Sequence, residues 1–326
     1  RDFCLSRGLG DVYKRQSWQF DSDKLQLNIS IPQIYMDAMA YDYISPTRWD
    51  EGINALTINY DFSGSHTLRS DYGSQETDTS YLNLRNGLNI GPWRLRNYST
   101  LNTSDGRAEY NSISTWIQRD IAALRSQIMI GDTWTASDIF DSTQIRGARL
   151  YTDNDMLPAS QNGFAPVVRG IAKSNATVII RQNGYVIYQS AVPQGAFEIT
   201  DLNTASTGGD LDVTIKEEDG SEQRFTQPYA SLAILKREGQ TDVDVSVGEL
   251  RDEDGFTPDV LQAQILHGFS HGITLYGGMQ AAENYGSAAL GVGKDLGALG
   301  AISFDVTHAR ANFSHDDTET GQSYRF

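Results

Sequence analysis

Two histidines four residues apart are the first side chains in this sequence whose spacing could hold a metal ion. His267 and His271 have the i, i+4 spacing of a zinc pair on a helix. Each is followed by a glycine, Gly268 and Gly272, and that pattern favours a β-hairpin over a helix. The acidic run at 252–255 lacks the ligand spacing of a calcium-binding EF-hand loop. The sequence therefore predicts no metal site.

A glycine-rich stretch at residues 291–294, Gly-Val-Gly-Lys, has the residue types that cradle a phosphate group. The next glycine, Gly297, is one place too far along for a dinucleotide fingerprint, and no Ser or Thr follows Lys294. Glycines in this setting more often let a strand pass a crowded neighbour. The sequence contains no Gly-x-Ser-x-Gly motif either. We therefore predict no catalytic residue, no cofactor and no enzymatic activity.

The composition narrows the class of protein to one rich in β-structure. The chain has 326 residues, 39% of them hydrophobic, with 30 glycines and 16 tyrosines. No apolar run approaches the roughly 18 to 20 residues that a membrane-spanning helix needs, so any membrane span must consist of strands. The net charge of −16 argues against a nucleic-acid partner. The single cysteine, Cys4, excludes an internal disulfide.

Long stretches of alternating apolar and polar residues predict the main sheet. In residues 53–62, Leu56, Ile58, Tyr60 and Phe62 alternate with small or polar residues. Stretches of this kind also occur at 79–90, 93–103, 108–121, 126–135, 144–152, 242–251, 260–268, 272–282, 285–294 and 300–312. Strands of about 9 to 13 residues suit a tilted membrane span better than a soluble sandwich, whose strands are nearer 5 or 6.

Turn-forming residues predict where some of these strands end. We expect one turn at residues 63–65, Ser-Gly-Ser, and another at residues 105–106, Asp-Gly.

A middle segment, residues 161–238, has shorter strands and tighter turns. Residues 177–182 and 185–189 flank Asn183-Gly184, the dipeptide best suited to a type I′ hairpin turn, and a second hairpin is predicted around Asp219-Gly220. This composition predicts a small β-sandwich inserted between membrane strands. Its predicted core is Val178, Ile180, Val186, Ile187, Phe197, Ile199, Leu211, Val213, Ile215 and Phe225.

Several separated motifs together resemble the fimbrial outer-membrane usher family. They occur in family order from residue 18 onward. They are LQLNISIPQ (25–33), WDEGINA (49–55), GLNIGPWRLR (87–96), DMLP (155–158), FAPVVRGIA (164–172), QNG (182–184), GDL (209–211), EDGS (218–221), PYA (228–230) and VGE (247–249).

The resemblance implies an all-β fold: part of a transmembrane antiparallel β-barrel carrying a small β-sandwich that plugs the pore. On this basis residues 17–50 form the linker leading into the barrel, 51–160 its first strands, 161–238 the plug and 239–326 further strands. The hairpin at about 126–152 would hold the plug. Residues 1–16 have neither strand alternation nor a signal-peptide pattern, and we expect them to be a non-native leader. The family's chaperone-recruiting domain and second half of the barrel are expected to lie mostly outside this chain.

The resemblance also implies a function and partners. Ushers in the bacterial outer membrane receive pilus subunits bound to periplasmic chaperones and pass them to the cell surface. The expected partners are therefore chaperone–subunit complexes and outer-membrane lipid, and pairing of two ushers stays open.

A plug that can be released should meet the pore wall through polar contacts. Charged residues near the predicted junction are the candidates for these gating contacts: Arg146, Arg149, Asp153, Asp155, Arg169, Arg181, Glu217, Glu218 and Asp219. The alternative is that each is a solvated rim or lumen residue.

Three other functions compete with the usher. A passive porin explains the long strands but not a domain-sized insert. A secreted β-rich adhesin would need no lipid-facing band, and an outer-membrane hydrolase would need a nucleophile motif that the sequence lacks.

Overall fold

The computed structural model describes residues 17–21, 26–35, 40, 42–69, 75–104, 106–203, 208–251, 257–313 and 317–326. The predicted leader at 1–16, the acidic run at 252–255 and Asp105 lie outside the described residues. Among the residues described, no helix is both long and apolar enough to cross a membrane.

The described residues form β-strands joined by turns and short 3₁₀ segments. The strands are β1 Ser17–Asp21, β2 Gln26–Ser30, β3 Ala55–Arg69, β4 Gln75–Ile90, β5 Trp93–Ser104, β6 Arg107–Ile121, β7 Ser126–Trp134, β8 Gln144–Thr152, β9 Val168–Ala172, β10 Ala176–Gln182, β11 Tyr185–Val192, β12 Gly195–Ile199, β13 Gly208–Glu217, β14 Glu222–Ala230, β15 Thr241–Leu250, β16 Asp259–Phe269, β17 Ile273–Ala282, β18 Tyr285–Asp295, β19 Ala301–Phe313 and β20 Asp317–Arg325. The 3₁₀ segments are Gln33–Tyr35, Pro46–Arg48, Ala122–Leu124, Asn154–Met156, Ala159–Gln161, Ser270–Gly272 and Gly297–Leu299.

One large antiparallel sheet dominates the structure. In the part of the chain that is described, it has twelve strands in the order β20-β19-β18-β17-β16-β15-β8-β7-β6-β5-β4-β3. Eleven of these strands overlap the stretches that the alternating pattern predicts, and β20 lies beyond the last of those stretches. Strand β15 pairs directly with β8 although they are far apart in sequence, for example Ser246 opposite Arg149. Everything between β8 and β15 is therefore an insertion into this sheet.

The turn predicted at residues 63–65 is wrong. Strand β3 continues through these residues to Arg69, and Gly64 pairs with Ser80 of β4. The backbone ladder with β4 continues across the Ser-Gly-Ser sequence, and a single glycine weakens a strand without ending it.

The large sheet has one apolar face and one polar face. Along β15 the apolar side chains Val243, Val245 and Val247 are exposed, whereas Asp244 and Ser246 between them are buried. On β16 to β19 the outer, apolar face carries Ile265, Leu275, Met279, Leu290, Val292, Ile302 and Phe304. The buried inner face carries Gln262, Gln264, Thr274, Ser287 and Asp305. Apolar side chains facing outward and polar ones facing inward are typical of a membrane barrel.

The glycine-rich stretch at residues 291–294 belongs to strand β18. A Cβ atom on Gly291 would lie 2.3 Å from the ring of Tyr276 on the neighbouring strand. The prediction that these glycines let a strand pass a crowded neighbour is confirmed. His267 lies on β16, and His271 lies in the β16–β17 turn, where it adopts a positive φ of 63°.

The insert, residues 161–238, has a hydrophobic core of its own between two small sheets. One sheet has the order β11-β10-β13-β14 and the other is the β12-β9 pair. Their facing side chains include Val168, Ile180, Phe197, Leu211 and Val213, all buried. Asn183 and Gly184 have φ values of 52° and 85°, as a type I′ turn between β10 and β11 requires.

Two residues predicted for this core are exposed instead. Val186 is 52% exposed and Phe225 is 36% exposed. Phe225, on the edge strand β14, pairs with the buried Val213 and so lies on the core face, at the margin of the sheet. Val186, on the edge strand β11, lies opposite Arg181 after a register shift between β10 and β11, so it faces away from the core. Simple alternation predicts neither the register shift that turns Val186 outward nor the extent of the covering sheet above Phe225.

Candidate functional site

The polar inner face of the large sheet is covered by two segments of the chain. The first is the connection between β7 and β8, residues 135–143. On strand β16, the Gln262 side chain donates a hydrogen bond of 2.7 Å to the Ala136 carbonyl, and the Gln264 side chain donates one of 2.6 Å to the Asp138 carboxylate. This connection therefore folds over the inner face of the sheet.

The second covering segment is the exit from the insert, residues 231–240. The Lys236 amide donates to Thr274 Oγ1 on β17 at 2.9 Å, and the Lys236 ammonium lies 2.6 Å from the Asp242 carboxylate at the start of β15. Ile234 packs against an inner-face cluster made of Ile139, Phe140, Leu266, Tyr276 and Ala289. The two covering segments thus meet in one apolar contact on the sheet.

Glycines on the inner face allow both segments to approach closely. A Cβ atom on Gly268 would lie 2.0 Å from the Arg237 carbonyl oxygen, and one on Gly278 would lie 2.7 Å from the Phe140 ring. A Cβ on Gly293 would lie 2.9 Å from the Leu235 side chain. The covering segments therefore pack directly onto the strand backbone.

Arg237 joins the two ends of the insert. Its side chain is 7% exposed, and its guanidinium donates to the carbonyls of Gly163 at 2.7 Å, Thr200 at 2.9 Å and Leu202 at 2.7 Å. Because Gly163 is at the start of the insert and Arg237 at its end, this side chain holds the two connections together. Sequence reasoning missed Arg237, since nothing in its neighbours signals that distant carbonyls surround it.

The predicted residues Arg146 and Arg149 lie on β8 and form ion pairs within the sheet. Arg146 Nε lies 2.8 Å from Asp132 on β7, and Arg149 Nη2 lies 2.6 Å from Asp244 on β15. Arg251 also reaches Asp132, at 3.2 Å. The Arg149 pair connects β8 and β15, the strands on either side of the insertion point, and the Arg146 pair connects β8 to β7. The acidic partners were not predicted, because they are distant in sequence and only the strand register brings them close.

Arg149 has two further contacts that fix its position. Its Nη1 donates to the Trp134 carbonyl at 2.9 Å, and its guanidinium carbon lies 4.4 Å from the centre of the Tyr151 ring. These partners together hold the Arg149 guanidinium in one orientation.

Asp153 and Asp155 lie where the chain leaves β8. The Asp155 amide donates to the Asp153 carboxylate at 3.0 Å, which caps the short 3₁₀ segment that follows. Burial raises the pKa of Asp153, and the nearby Asp155 charge raises it further. Both residues lie at the junction where they were predicted, and their contacts shape the turn.

Arg169, on β9, faces the exit from the insert. Its Nη2 lies 2.6 Å from Glu198 on the paired strand β12 and 3.5 Å from Glu238. It therefore links the small sheet to the segment that leads into β15. Arg181, on β10, is half-buried and pairs through its backbone with Val186 and Asp212.

Glu217 is buried inside the insert, although it was predicted as a gating contact. Its carboxylate accepts hydrogen bonds from the Lys173 amide at 3.0 Å, the Ser174 amide at 2.9 Å, the Ser174 hydroxyl at 2.8 Å and Gln223 at 2.7 Å. The Lys173 amide and then the Ser174 hydroxyl lower the pKa of Glu217 to about 2. These contacts fix the turn between β9 and β10.

Glu218 and Asp219 belong to the same region of the insert. The Glu218 amide donates to the Ser174 hydroxyl at 3.1 Å. The Ser221 hydroxyl and amide donate to the Asp219 carboxylate at 2.6 and 2.9 Å and lower its pKa. These contacts of Glu217, Glu218 and Asp219 lie within the insert, and a gating role for any of the nine predicted residues stays a prediction.

No metal-binding chemistry was found in the described part of the chain, where no three His, Cys, Asp or Glu residues are grouped as metal ligands. His267 instead shares a hydrogen bond of 2.6 Å with the Thr241 hydroxyl.

An antiparallel sheet with an apolar outer face, a polar inner face and a folded insert packed on the polar side defines the class: a transmembrane β-barrel with an internal domain. The chain belongs to the outer membrane usher protein family, whose model matches residues 81–326. A second model, that of the PapC N-terminal domain, matches residues 4–64, which include most of the predicted leader. The all-β fold predicted from the resemblance is confirmed.

Known relatives and a solved structure agree with this assignment. The chain is 47% identical to the outer membrane usher protein LpfC of Salmonella typhimurium, over 97% of the chain and 38% of that protein. It is also 47% identical to the usher protein YraJ of Escherichia coli, over 99% of the chain and 39% of that protein. It resembles a chain of the E. coli P pilus tip assembly intermediate PapC-PapD-PapK-PapG, with a TM-score of 0.63, 31% identity, and coverage of 99% of this chain and 40% of that one. The chain thus spans about two fifths of the length of these relatives.

Proposed function

We propose that the protein containing this chain is a pore in the bacterial outer membrane that passes chaperone-delivered pilus subunits to the cell surface. In this proposal the large sheet is part of the pore wall, and the insert at 161–238 is the plug that closes the pore at rest.

The main support is the position of a folded domain on the polar face of a two-faced sheet. The insert has its own core, so it can move as a unit. Its exit segment is packed on the inner face through Ile234 and Lys236. A domain in this position would obstruct the lumen, and moving it would open a passage.

The strands beside the insertion point supply contacts that could hold the plug. The β7–β8 hairpin sends residues 135–143 across the inner face, where Phe140 meets the same cluster as Ile234. The ion pair of Arg149 with Asp244 connects β8 to β15, the two strands between which the insert is placed. We propose that this hairpin and ion pair set the resting position of the plug.

The proposed partners are complexes of a periplasmic chaperone with a pilus subunit. The similar solved structure is, by its name, an assembly intermediate of PapC with PapD, PapK and PapG. The apolar outer face also implies contact with outer-membrane lipid. We propose an assembly and transport role without enzymatic activity, and pairing of two pores stays untested.

The competing functions fit the structure less well. A passive porin needs a constriction but no inserted domain with its own core. A secreted adhesin would expose Val245, Leu290 and Phe304 to water, and a continuous apolar face of that kind favours aggregation.

Conductance of the whole protein in a planar lipid bilayer tests the plug. Deletion of residues 161–238, with a short linker from Ser160 to Gly239, should change a mostly closed channel into one that conducts continuously. A control deletion of residues 70–74, between β3 and β4 in the sequence, should leave the conductance low. An unchanged conductance after removal of the insert would contradict the plug.

Binding of chaperone–subunit complexes tests the transport role separately. The purified whole protein should retain such complexes, while a chaperone without a subunit should bind more weakly. A protein that conducts ions but retains no complex would be a porin.

A further inference from the structure

The segment that precedes the first strand of the large sheet contacts the insert at two separate places. At the first, the Glu198 amide on β12 donates a hydrogen bond of 2.8 Å to the Gln33 side-chain oxygen. Next to it, Pro32 packs against Gly195, where a Cβ atom would lie 2.7 Å from the proline ring. Residues 31–35 therefore lie along the edge of the small β9–β12 sheet.

The second contact is a carboxylate held by a buried serine. Asp42 accepts hydrogen bonds from the Ser160 amide at 3.0 Å and from the Ser160 hydroxyl. Ser160 is fully buried and lies where the chain enters the insert. Burial alone would raise the pKa of Asp42, but these hydrogen bonds lower it, so the carboxylate is charged near neutral pH.

The same segment is fixed to the pore wall at its other end. The Gly91 amide, in the turn between β4 and β5, donates to the Asn54 side chain at 2.8 Å. The Arg94 guanidinium donates to the Glu51 carbonyl. The chain between Pro32 and Asn54 thus contacts the insert near its beginning and the large sheet near its end.

We propose that the residues of this segment at 31–35 and 42–45, here called the strap, position the insert in the resting pore, with Asp42 as the main positioning residue. This inference rests on the proposed function, because it concerns what holds the plug. The insert is already joined to the large sheet by its own two connections. The strap adds a third tie, formed by non-covalent contacts that can be broken without unfolding either part.

The strap also connects the insert to the region before the barrel. It lies inside residues 4–64, the part of the chain that matches the PapC N-terminal domain model. A force or rotation applied to that region would reach the insert through Gln33 and Asp42. Release of the strap would then favour movement of the insert.

A disulfide bond placed across the contact between Asp42 and Ser160 gives the first test. The whole protein carrying Asp42→Cys and Ser160→Cys should form a disulfide at rest, visible as a mobility shift on a gel that reductant removes. The oxidised form should show a several-fold lower rate of subunit transport than the reduced form. Each single cysteine variant, treated with the same oxidant, should show no difference. Absence of the cross-link, or equal transport in both forms, would overturn the proposal.

Loss of the Asp42 contact gives the second test. Asp42→Ala removes two hydrogen bonds to a charged group, which should increase the open fraction of the channel by roughly tenfold. Asp50→Ala is the matched control, because Asp50 accepts its hydrogen bond from Gly52 in the same turn. Equal open fractions for the two variants would contradict a positioning role for Asp42.

These experiments distinguish a failure of the strap proposal from a failure of the plug proposal. If deletion of residues 161–238 leaves the pore closed, the plug itself is wrong. If that deletion opens the pore while Asp42→Ala and the disulfide have no effect, the plug stands and only the strap is wrong.

Discussion

The pore wall and the insert use the same alternating strand pattern in opposite ways. In the wall, the apolar side chains of β15 face outward and the polar ones face the interior. In the insert, Val178 and Ile180 of β10 face inward and are buried. The alternating pattern of a strand therefore does not determine by itself whether the apolar face points out of the protein or into a core. The surrounding medium decides the direction, because lipid favours an apolar surface and water favours a polar one.

The largest effect is expected from the core of the insert. Phe197→Ala should destabilise the insert by about 3–5 kcal/mol, because the ring is buried and packs against Gly170. Limited proteolysis of the whole protein should then cleave within residues 161–238, while the wall keeps its resistance to unfolding in detergent. Phe225→Ala, on an edge strand, should have a much smaller effect. Equal cleavage of the two variants would show that the insert does not depend on this core.

Two valines with the same exposed fraction allow the lipid surroundings of the wall and the aqueous surroundings of the insert to be compared directly. Val247 on the wall and Val186 on the insert are both 52% exposed. Val247→Arg should destabilise the wall by about 2–4 kcal/mol if it lies near the middle of the bilayer. Val186→Arg should change stability by only about 0.5 kcal/mol, because its surroundings are water. Urea unfolding in lipid vesicles measures both, and similar values would contradict the lipid-facing assignment of β15.

The ion pair between β8 and β15 should have an intermediate effect. Asp244→Ala leaves Arg149 without its carboxylate partner and should destabilise the resting position of the insert by about 1–3 kcal/mol. More frequent opening in a bilayer is the expected signal. The exposed pair of Glu222 and Arg224 is the control, and Glu222→Ala should leave opening unchanged. Unchanged opening in both variants would limit Arg149 to a structural role.

The smallest effect is a pH dependence confined to the insert. Glu217 has its pKa lowered to about 2, so it stabilises the folded insert above its ordinary pKa near 4.5, and this stabilisation disappears as the pH falls toward 2. Glu217→Gln should be less stable at pH 7 and should show a weaker loss of protease resistance between pH 5 and 2. A variant with the same pH profile as the original protein would assign that profile to other carboxylates.

The sequence predicts the strands well, because alternation over many residues is a local property. Positions such as 93–103 and 285–294 agree with β5 and β18 to within one residue at either end. The type I′ turn at Asn183-Gly184 is confirmed for the same reason. Burial of Val186 was wrongly predicted, since a register shift between β10 and β11 places it opposite Arg181, on the face away from the core.

The candidate site was harder to predict, because its contacts join distant parts of the chain. Arg149 was identified as a candidate, but Asp244 is 95 residues away and is brought close only by the register of β8 with β15. The contact of Asp42 with Ser160 spans 118 residues. No local pattern in the sequence specifies pairs of this kind.

The glycines at 268, 278 and 293 have a consequence for the pore after the insert has moved away. They carry no side chains, so the strip of wall that the covering segments had occupied would be bare backbone at these three positions, with the apolar side chains of Leu266 and Tyr276 between Thr274 and Gln264. Such a strip would present few protruding side chains to a passing folded subunit. The same glycines that let the covering segments pack on the wall would then also lower the resistance of the open passage to a moving subunit.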